Sequence, residues 1–271
     1  MKKYSPEYFD YFNFPVGICL YSLQKKKTSQ VKLFLYLKSI STNSYLQNNK
    51  SVFLNASNHL GICYKTLRTH LKWLISQGWI VPDPIAHNYR IVGFNVLTEK
   101  LGFTMSTGAI LYKNDIPKFK SFAVAEAITY LMERIRVRCR QIEAGLIKGS
   151  PTLNDLPAYP FLPHTYLAKA LSLSKSTAYE YRKLTIGNEF LVCIKKFNKL
   201  DVSSENFNLL KRYASFGSDA LLKNGKRVMI QLPDQIKSNV YLRTKVNIRE
   251  SCHKNRLGKN PDLIKRNLTN G

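Results

Sequence analysis

The stretch HLGICYKTLRTHLKWLISQGWI, residues 59–80, constrains this chain more than any other. Leu67, Leu71, Leu74 and Ile75 recur at three- and four-residue spacing, which sets one apolar stripe on a helix from Tyr64 to Gln77. Glycines bracket it. Gly61 permits a tight turn before the helix, and Gly78 stands where a left-handed residue satisfies the last carbonyls. A helix that only fills a core needs no such bracketing; one held rigidly and presented to a partner does. Trp79–Val81 then reads as a strand, PDPIAHN as a turn and YRIVGFNVL as a second strand.

The pattern returns further along. HLGICYKTLRTHL (59–71) aligns with ALSLSKSTAYEYR (170–182), an offset of 111 residues. Leu60 falls on Leu171, Ile62 on Leu173, Thr66 on Thr177, Leu67 on Ala178, and Trp79–Val81 on Phe190–Val192. Copies at domain-sized separation imply two units of similar build. Leu71 and Leu74 align with Arg182 and Thr185, so the second helix is expected to bury Ala178, Tyr181 and Thr185 instead. The second copy also lacks a glycine at the helix end, with Gly187 close by.

Around these copies the chain divides into five stretches. Residues 1–29 are an aromatic lead-in that packs on the first unit and ends in the Lys25–Lys27 run, a solvated joint or a phosphate contact. Residues 30–98 form the first domain: a helix over 30–41, a loop at TNSYLQNNK, a short strand at SVFL, and a short helix to Leu60 capped by Asn55 or Ser57. Residues 99–120 read as a basic linker. Residues 121–233 form the second domain, opened by a helix over 121–147 with Val124, Ile128, Leu131, Ile135, Ile142 and Leu146 on one stripe. Arg134, Arg136, Arg138 and Arg140 alternate along that helix and so point around it. A proline-punctuated loop, SPTLNDLPAYPFLP, leads to the second copy. After it come a helix at SSENFNLLKRYASF and a turn and strand at KNGKRVMIQL, which give a second hairpin with an inserted helix. Residues 234–271 are a basic tail with little periodicity. The expected class is mainly α with small β-hairpin wings (α+β).

Charge decides the kind of partner. Forty-two Lys and Arg stand against 17 Asp and Glu, a formal charge of +25. An excess of this size repels itself and fits a polyanion: DNA, RNA or anionic lipid. Membrane insertion is not expected, because apolar runs such as Phe14–Leu23 are short and interrupted by Pro15, Gly17 and Tyr21. YSPEYFDYFNF stands where a signal peptide needs an apolar stretch, and the five scattered cysteines hold no CxxC. Both point to a reducing cytoplasm, without disulfides or structural zinc.

Enzyme motifs are missing. The chain has no GxxxxGK[ST] and no HExxH. His253 and Arg256 have the HxxR spacing of tyrosine recombinases, but no tyrosine follows to act as nucleophile. His59 and Cys63 stand four apart without the further ligands that zinc requires, so a packed cysteine and a surface histidine are expected. No catalytic residue, cofactor, metal or small-molecule substrate is inferred.

The major groove of DNA is about 12 Å wide and admits one α-helix. On the first helix the positions away from the stripe are Tyr64, Lys65, Arg68, Thr69 and Lys72; on the second they are Lys175, Ser176, Tyr179, Glu180 and Lys183. Arg68 and Lys65 suit guanine O6 and N7, Thr69 and Tyr64 suit phosphate or a thymine methyl, and Glu180 either accepts from cytosine N4 or repels phosphate. ICYKTLRTHLKWLISQGWI and LSLSKSTAYEYRK resemble the winged helix–turn–helix DNA-binding superfamily. Two such units resemble the tandem winged-helix replication initiators of plasmids and the replication or regulatory proteins of phages. The resemblance implies sequence-specific binding of double-stranded DNA, in replication initiation or transcription control of a mobile element. Cys63 departs from the pattern, since a Ser or Thr cap is usual there, whereas Ser174 keeps it. The long helix fits either the core of the second unit or a seam that pairs two copies on an inverted repeat. Two rival functions remain: an RNA or single-strand binder, suggested by 16 Tyr and 14 Phe, and a protein-interaction scaffold.

Overall fold

The computed structural model describes residues 11–83, 86–103, 107–146, 162–194, 197–201, 221–224, 227–231 and 235–243. They form helices packed with small antiparallel sheets, a mixed α+β architecture. The loop at 150–161, the SSENFNLLKRYASF segment and the HxxR pair at His253 and Arg256 lie outside the described residues.

The first 100 residues run β1 (Tyr11–Pro15), α1 (Val16–Gln24), α2 (Thr28–Ile40), β2 (Tyr45–Gln47), α3 (Lys50–Leu60), α4 (Tyr64–Ser76), β3 (Ile80–Asp83), β4 (Asn88–Ile91) and α5 (Phe94–Lys100). A line of edge-on rings links these elements. Phe119 meets Phe14, Phe14 meets Phe94, Phe94 meets Phe34 and Phe34 meets Trp79, with centroids 5.1–6.1 Å apart. Among the described residues of the lead-in, Phe14, Val16, Ile18, Cys19 and Leu23 are thus core. Gly17 on α1 is pressed against Phe103, whose ring carbon would lie 2.7 Å from an added Cβ.

Four local expectations are corrected. SVFL is no strand but lies in α3, where Phe53, Ala56, Ser57 and Leu60 bury one helical face. The cap is Asn49, whose side chain accepts the Ser51 amide, and not Asn55 or Ser57. The strand lies earlier, at β2, inside the stretch read as a loop, and the sheet order is β2-β4-β3. YRIVGFNVL keeps its strand only to Ile91; α5 follows, burying Phe94, Leu97 and Thr98.

Residues 99–120 hold β5 (Gly108–Tyr112) and a 3-10 turn, Lys113–Lys118, where a linker was expected. β5 pairs with β1 on one side and with β11 (Leu242–Arg243) on the other. Three distant stretches therefore close one sheet, and residues 242–243 are strand where a tail was expected.

Helix α6 (Phe119–Glu143) is the centre of the molecule. From Phe119 to Ile128 all but Lys120 are buried, because α1 and α2 cover one side and α8 the other. A helix buried all round reads as apolar all round, and Ala123, Val124, Ala125 and Ala127 obey that rule. Glu126 breaks it. The Cys19 thiol donates to one of its carboxyl oxygens and the Ala109 main chain also bonds it, while Oε1 has no partner among the described residues. Burial pushes its pKa up to about 8, so the acid is neutral at pH 7. The expected stripe holds over Val124, Ile128 and Leu131; Ile135 is half-buried, Ile142 is partly exposed, and Leu146 lies beyond the helix and exposed.

The second half continues with α7 (His164–Leu171), α8 (Lys175–Gly187) and β6 (Leu191–Ile194). β6 pairs with β10 (Gln235–Ser238), which the sequence placed in the tail. Between them β7 (Phe197–Asp201), β8 (Leu221–Asn224) and β9 (Arg227–Gln231) make a separate sheet in the order β7-β9-β8. The second hairpin is thus split by an inserted sheet.

Candidate nucleic-acid interface

The 111-residue offset holds in the backbone at the level of single hydrogen bonds. α4 spans Tyr64–Ser76 and α8 spans Lys175–Gly187; β3 and β6 match likewise. In the first pair Gly61 is left-handed, and the Gly61 and Ile62 amides donate to Asn58 and Ser57 carbonyls. In the second pair Ser172 is left-handed, and Ser172 and Leu173 donate to Lys169 and Ala168. At the far ends Gly78 (φ 64°) and Glu189 (φ 65°) occupy the same place, and Trp79 and Phe190 donate to Leu74 and Thr185. The missing second glycine is therefore not at Gly187; Glu189 takes the strained position itself.

The helix starts differ. Ser174 Oγ accepts the Thr177 amide at 3.1 Å, a true side-chain cap. Cys63 occupies the N-cap of α4 without a side-chain cap bond, and the helix begins there nonetheless. Its thiol is exposed, not packed as expected, and lies 3.0 Å from the Thr66 hydroxyl, which lowers its pKa. His59 is exposed and lies against the Tyr36 ring at 4.8 Å.

Beneath α4 lie Leu67, Leu71 and Leu74. Facing out are Lys65, Arg68, Thr69 and Lys72, all exposed, while Tyr64 packs half-buried against the core edge. The Thr69 hydroxyl donates back to the Lys65 carbonyl at 3.2 Å. No acidic residue lies on α4, nor anywhere from Tyr11 to Pro82, a stretch with nine Lys and Arg. Beneath α8 lie Ala178, Arg182 and Thr185; Tyr181, expected there, is only half-buried, with the Lys120 ammonium 4.3 Å above its ring. Arg182 fills the position of Leu71 beside His164 Nε2 (3.5 Å) and Cys193 Sγ (3.9 Å). Facing out are Lys175, Ser176, Tyr179, Glu180 and Lys183, with the Tyr179 ring 5.3 Å from His164.

Not every lysine is free for a partner. Lys32 Nζ donates to the Leu60 carbonyl at 3.2 Å and Lys100 Nζ to Gln77 at 2.6 Å, so each closes the negative end of a helix. Burial lowers the pKa of Lys32. The β3–β4 hairpin is scarcely basic: among its described residues Arg90 is the one Lys or Arg, and the hairpin also carries Asp83. The burial of Arg182 and Glu126 escaped the sequence, since a charged residue at an apolar position reads as a break in the stripe and not as part of the core.

Comparison with known protein families, characterised proteins and solved structures gives no match. The residues must speak for themselves. No helix among the described residues is long and apolar enough to cross a membrane.

Proposed function

We propose that this chain is a sequence-specific double-stranded DNA-binding protein with two winged helix–turn–helix units, acting in replication initiation or transcription control of a mobile element. The order α2–β2–α3–α4–β3–β4, with β4 between β2 and β3, matches what a winged helix–turn–helix would require and supports the first unit. The second unit repeats the helix pair and its following strand, with the hairpin completed by β10 after the inserted sheet.

The observation that carries the reading is the outward face of α4. Lys65, Arg68, Thr69 and Lys72 stand exposed on a helix without a carboxylate, anchored by three leucines and closed by a left-handed turn at each end. A helix so held can enter the major groove without reorganising. Arg68 would supply paired donors to a guanine edge, and Lys65 and Lys72 would meet phosphate or base. α4 and α8 are each held by the same local turn and closure, and each would read a segment of duplex.

A second reading, single-strand or RNA binding by stacking, draws on the exposed rings of Tyr166, Tyr179 and Tyr241. One experiment separates them: selection from a random duplex library at near-physiological salt, with single-stranded DNA and RNA as competitors. A recovered motif of roughly 15–25 base pairs, poorly competed by single strands, is the expected outcome for two heads. Equal competition by single strands, with no enriched sequence, would overturn it.

A further inference from the structure

We propose that the Lys25–Lys27 turn is a phosphate clamp seated between the two helix pairs, gripping the nucleic-acid backbone where it passes from one to the other; this rests on the nucleic-acid reading above. The turn joins α1 to α2. Its three amides are all taken by α1 carbonyls: Lys25 by Tyr21 at 2.9 Å, Lys26 by Leu23 at 3.2 Å and Lys27 by Ser22 at 2.7 Å. The backbone is thereby tied down, with Lys26 left-handed at φ 54°, and the Lys25 and Lys26 side chains project into solvent.

Each flank of the turn touches a different helix pair. Lys27 Nζ lies 5.4 Å from the ring of Trp73, on the flank of α4 next to Thr69 and Ser76. On the other side Gln24 Nε2 donates at 3.3 Å to the carbonyl of Ala170, one residue before the end of α7 and two before the left-handed turn at Ser172. The cations thus stand between the flank of α4 at Trp73 and the C-terminal end of α7 at Ala170. Helix electrostatics alone do not account for them. They favour the negative end of α1 but oppose the positive end of α2, which begins with neither a side-chain cap nor an acidic residue in its first turn. With no Asp or Glu from Tyr11 to Pro82, that stretch supplies no carboxylate to neutralise the run. The positive field is felt nearby: burial first, then Lys27 and Lys32, lower the pKa of His70 on α4. Two mobile ammonium groups on a fixed turn suit phosphate oxygens, which need charge but no base-specific geometry.

The test compares the full-length chain with the Lys25→Gln/Lys26→Asn double variant on a duplex of about 40 base pairs, long enough for two half-sites. Asparagine tolerates the left-handed position, so the turn is kept. Affinity is titrated against salt, and hydroxyl-radical protection maps the contact. Removing two phosphate contacts should lower the slope of log K against log salt by about 2 and strip protection from the middle of the footprint, sparing both flanks. A Lys118→Gln/Lys237→Gln control, which removes the same charge from other exposed positions, should leave the central protection intact. An unchanged slope in the clamp variant, or the same central loss in the control, would overturn the clamp while leaving DNA binding standing. Failure of the unaltered chain to bind the duplex would end both.

Discussion

The two helix pairs share a backbone and almost nothing else. The first buries leucines, turns on glycines and shows lysine and arginine to solvent; the second buries Ala178, Arg182 and Thr185, turns on Ser172 and Glu189, and shows a face mixed with Tyr179 and Glu180. What the repeat encodes is therefore the hydrogen-bonded turn and the two left-handed closures, not the side chains above or below the helix. The first pair is built for firm anchorage and strong charge. The second has the same shape with a thinner apolar floor and a weaker field, so it should add discrimination more than affinity.

The sharpest way to break that contrast is to exchange the floors. Leu67→Ala gives the first pair the residue that the second has at Ala178, and should cost about 2–5 kcal/mol in denaturant unfolding. The reverse exchange, Ala178→Leu, should cost about 1–3 kcal/mol through overpacking, since Ala178 is fully buried. A silent Ala178→Leu would mean that the second pair holds unfilled space and is looser than its backbone suggests.

Glu126 tests the joint that both pairs share. Its folded pKa of about 8 lies above the ordinary 4.5. Below the ordinary value both folded and unfolded chains are protonated and the stability is fully present. As pH rises toward 8 the unfolded chain ionises while the buried acid stays neutral, so stability falls by up to about 1.4 kcal/mol per pH unit and levels off above that. Glu126→Gln should remove this fall and be the more stable protein at pH 8, by an amount on the order of 4 kcal/mol. Parallel stability–pH curves for the two proteins would show that the carboxyl reaches water.

These contrasts also mark how far the sequence could be read. Helix α4, its glycine closures and the apolar stripe under it are local, and the 3.6-residue period exposes them. α8 follows by alignment: the reading from Tyr64 to Gln77 carries over to 175–188, which places its start and runs one residue past its end at Gly187. SVFL failed because four apolar or small residues fit a strand or a helix turn equally well, and only the longer run to Leu60 decides. The sheet of β1, β5 and β11 failed for a deeper reason: its strands lie far apart in the chain, and nothing local in GAILY names Phe12 or Leu242 as neighbours. The outward residues of both helices were legible as a face; that Lys25–Lys27 sits between the pairs was not, because it depends on α1 meeting α7.

Equivalent outward positions offer the next test. Arg68 and Tyr179 occupy the same place on α4 and α8. Arg68→Ala should cost about 1–3 kcal/mol on a selected duplex and little on random duplex, if it reads a base. Tyr179→Ala should cost less than Arg68→Ala on either duplex. Equal losses on selected and random DNA would make Arg68 a phosphate contact, and a larger loss at Tyr179 would move the principal reading head to the second pair.

The smallest effect concerns the closures themselves. Glycine adopts a left-handed conformation without penalty, whereas a residue with a Cβ pays roughly 1 kcal/mol. Glu189→Gly should thus stabilise the second pair by something under about 1 kcal/mol, because relief of strain is partly offset by the extra freedom of glycine in the unfolded chain. Gly78→Ala should destabilise the first pair by about 1 kcal/mol from backbone strain, and the Lys100 ammonium, 2.7 Å from the added Cβ, must also move. That movement loosens the Lys100 bond to the Gln77 carbonyl, so Gly78→Ala should cost more than Gly61→Ala, where the added Cβ meets nothing within 4 Å. Thermal unfolding of the three variants ranks them directly. If Glu189→Gly is destabilising instead, the side chain of Glu189 has a stabilising role that outweighs its strain, and the two closures would be alike only in their backbone.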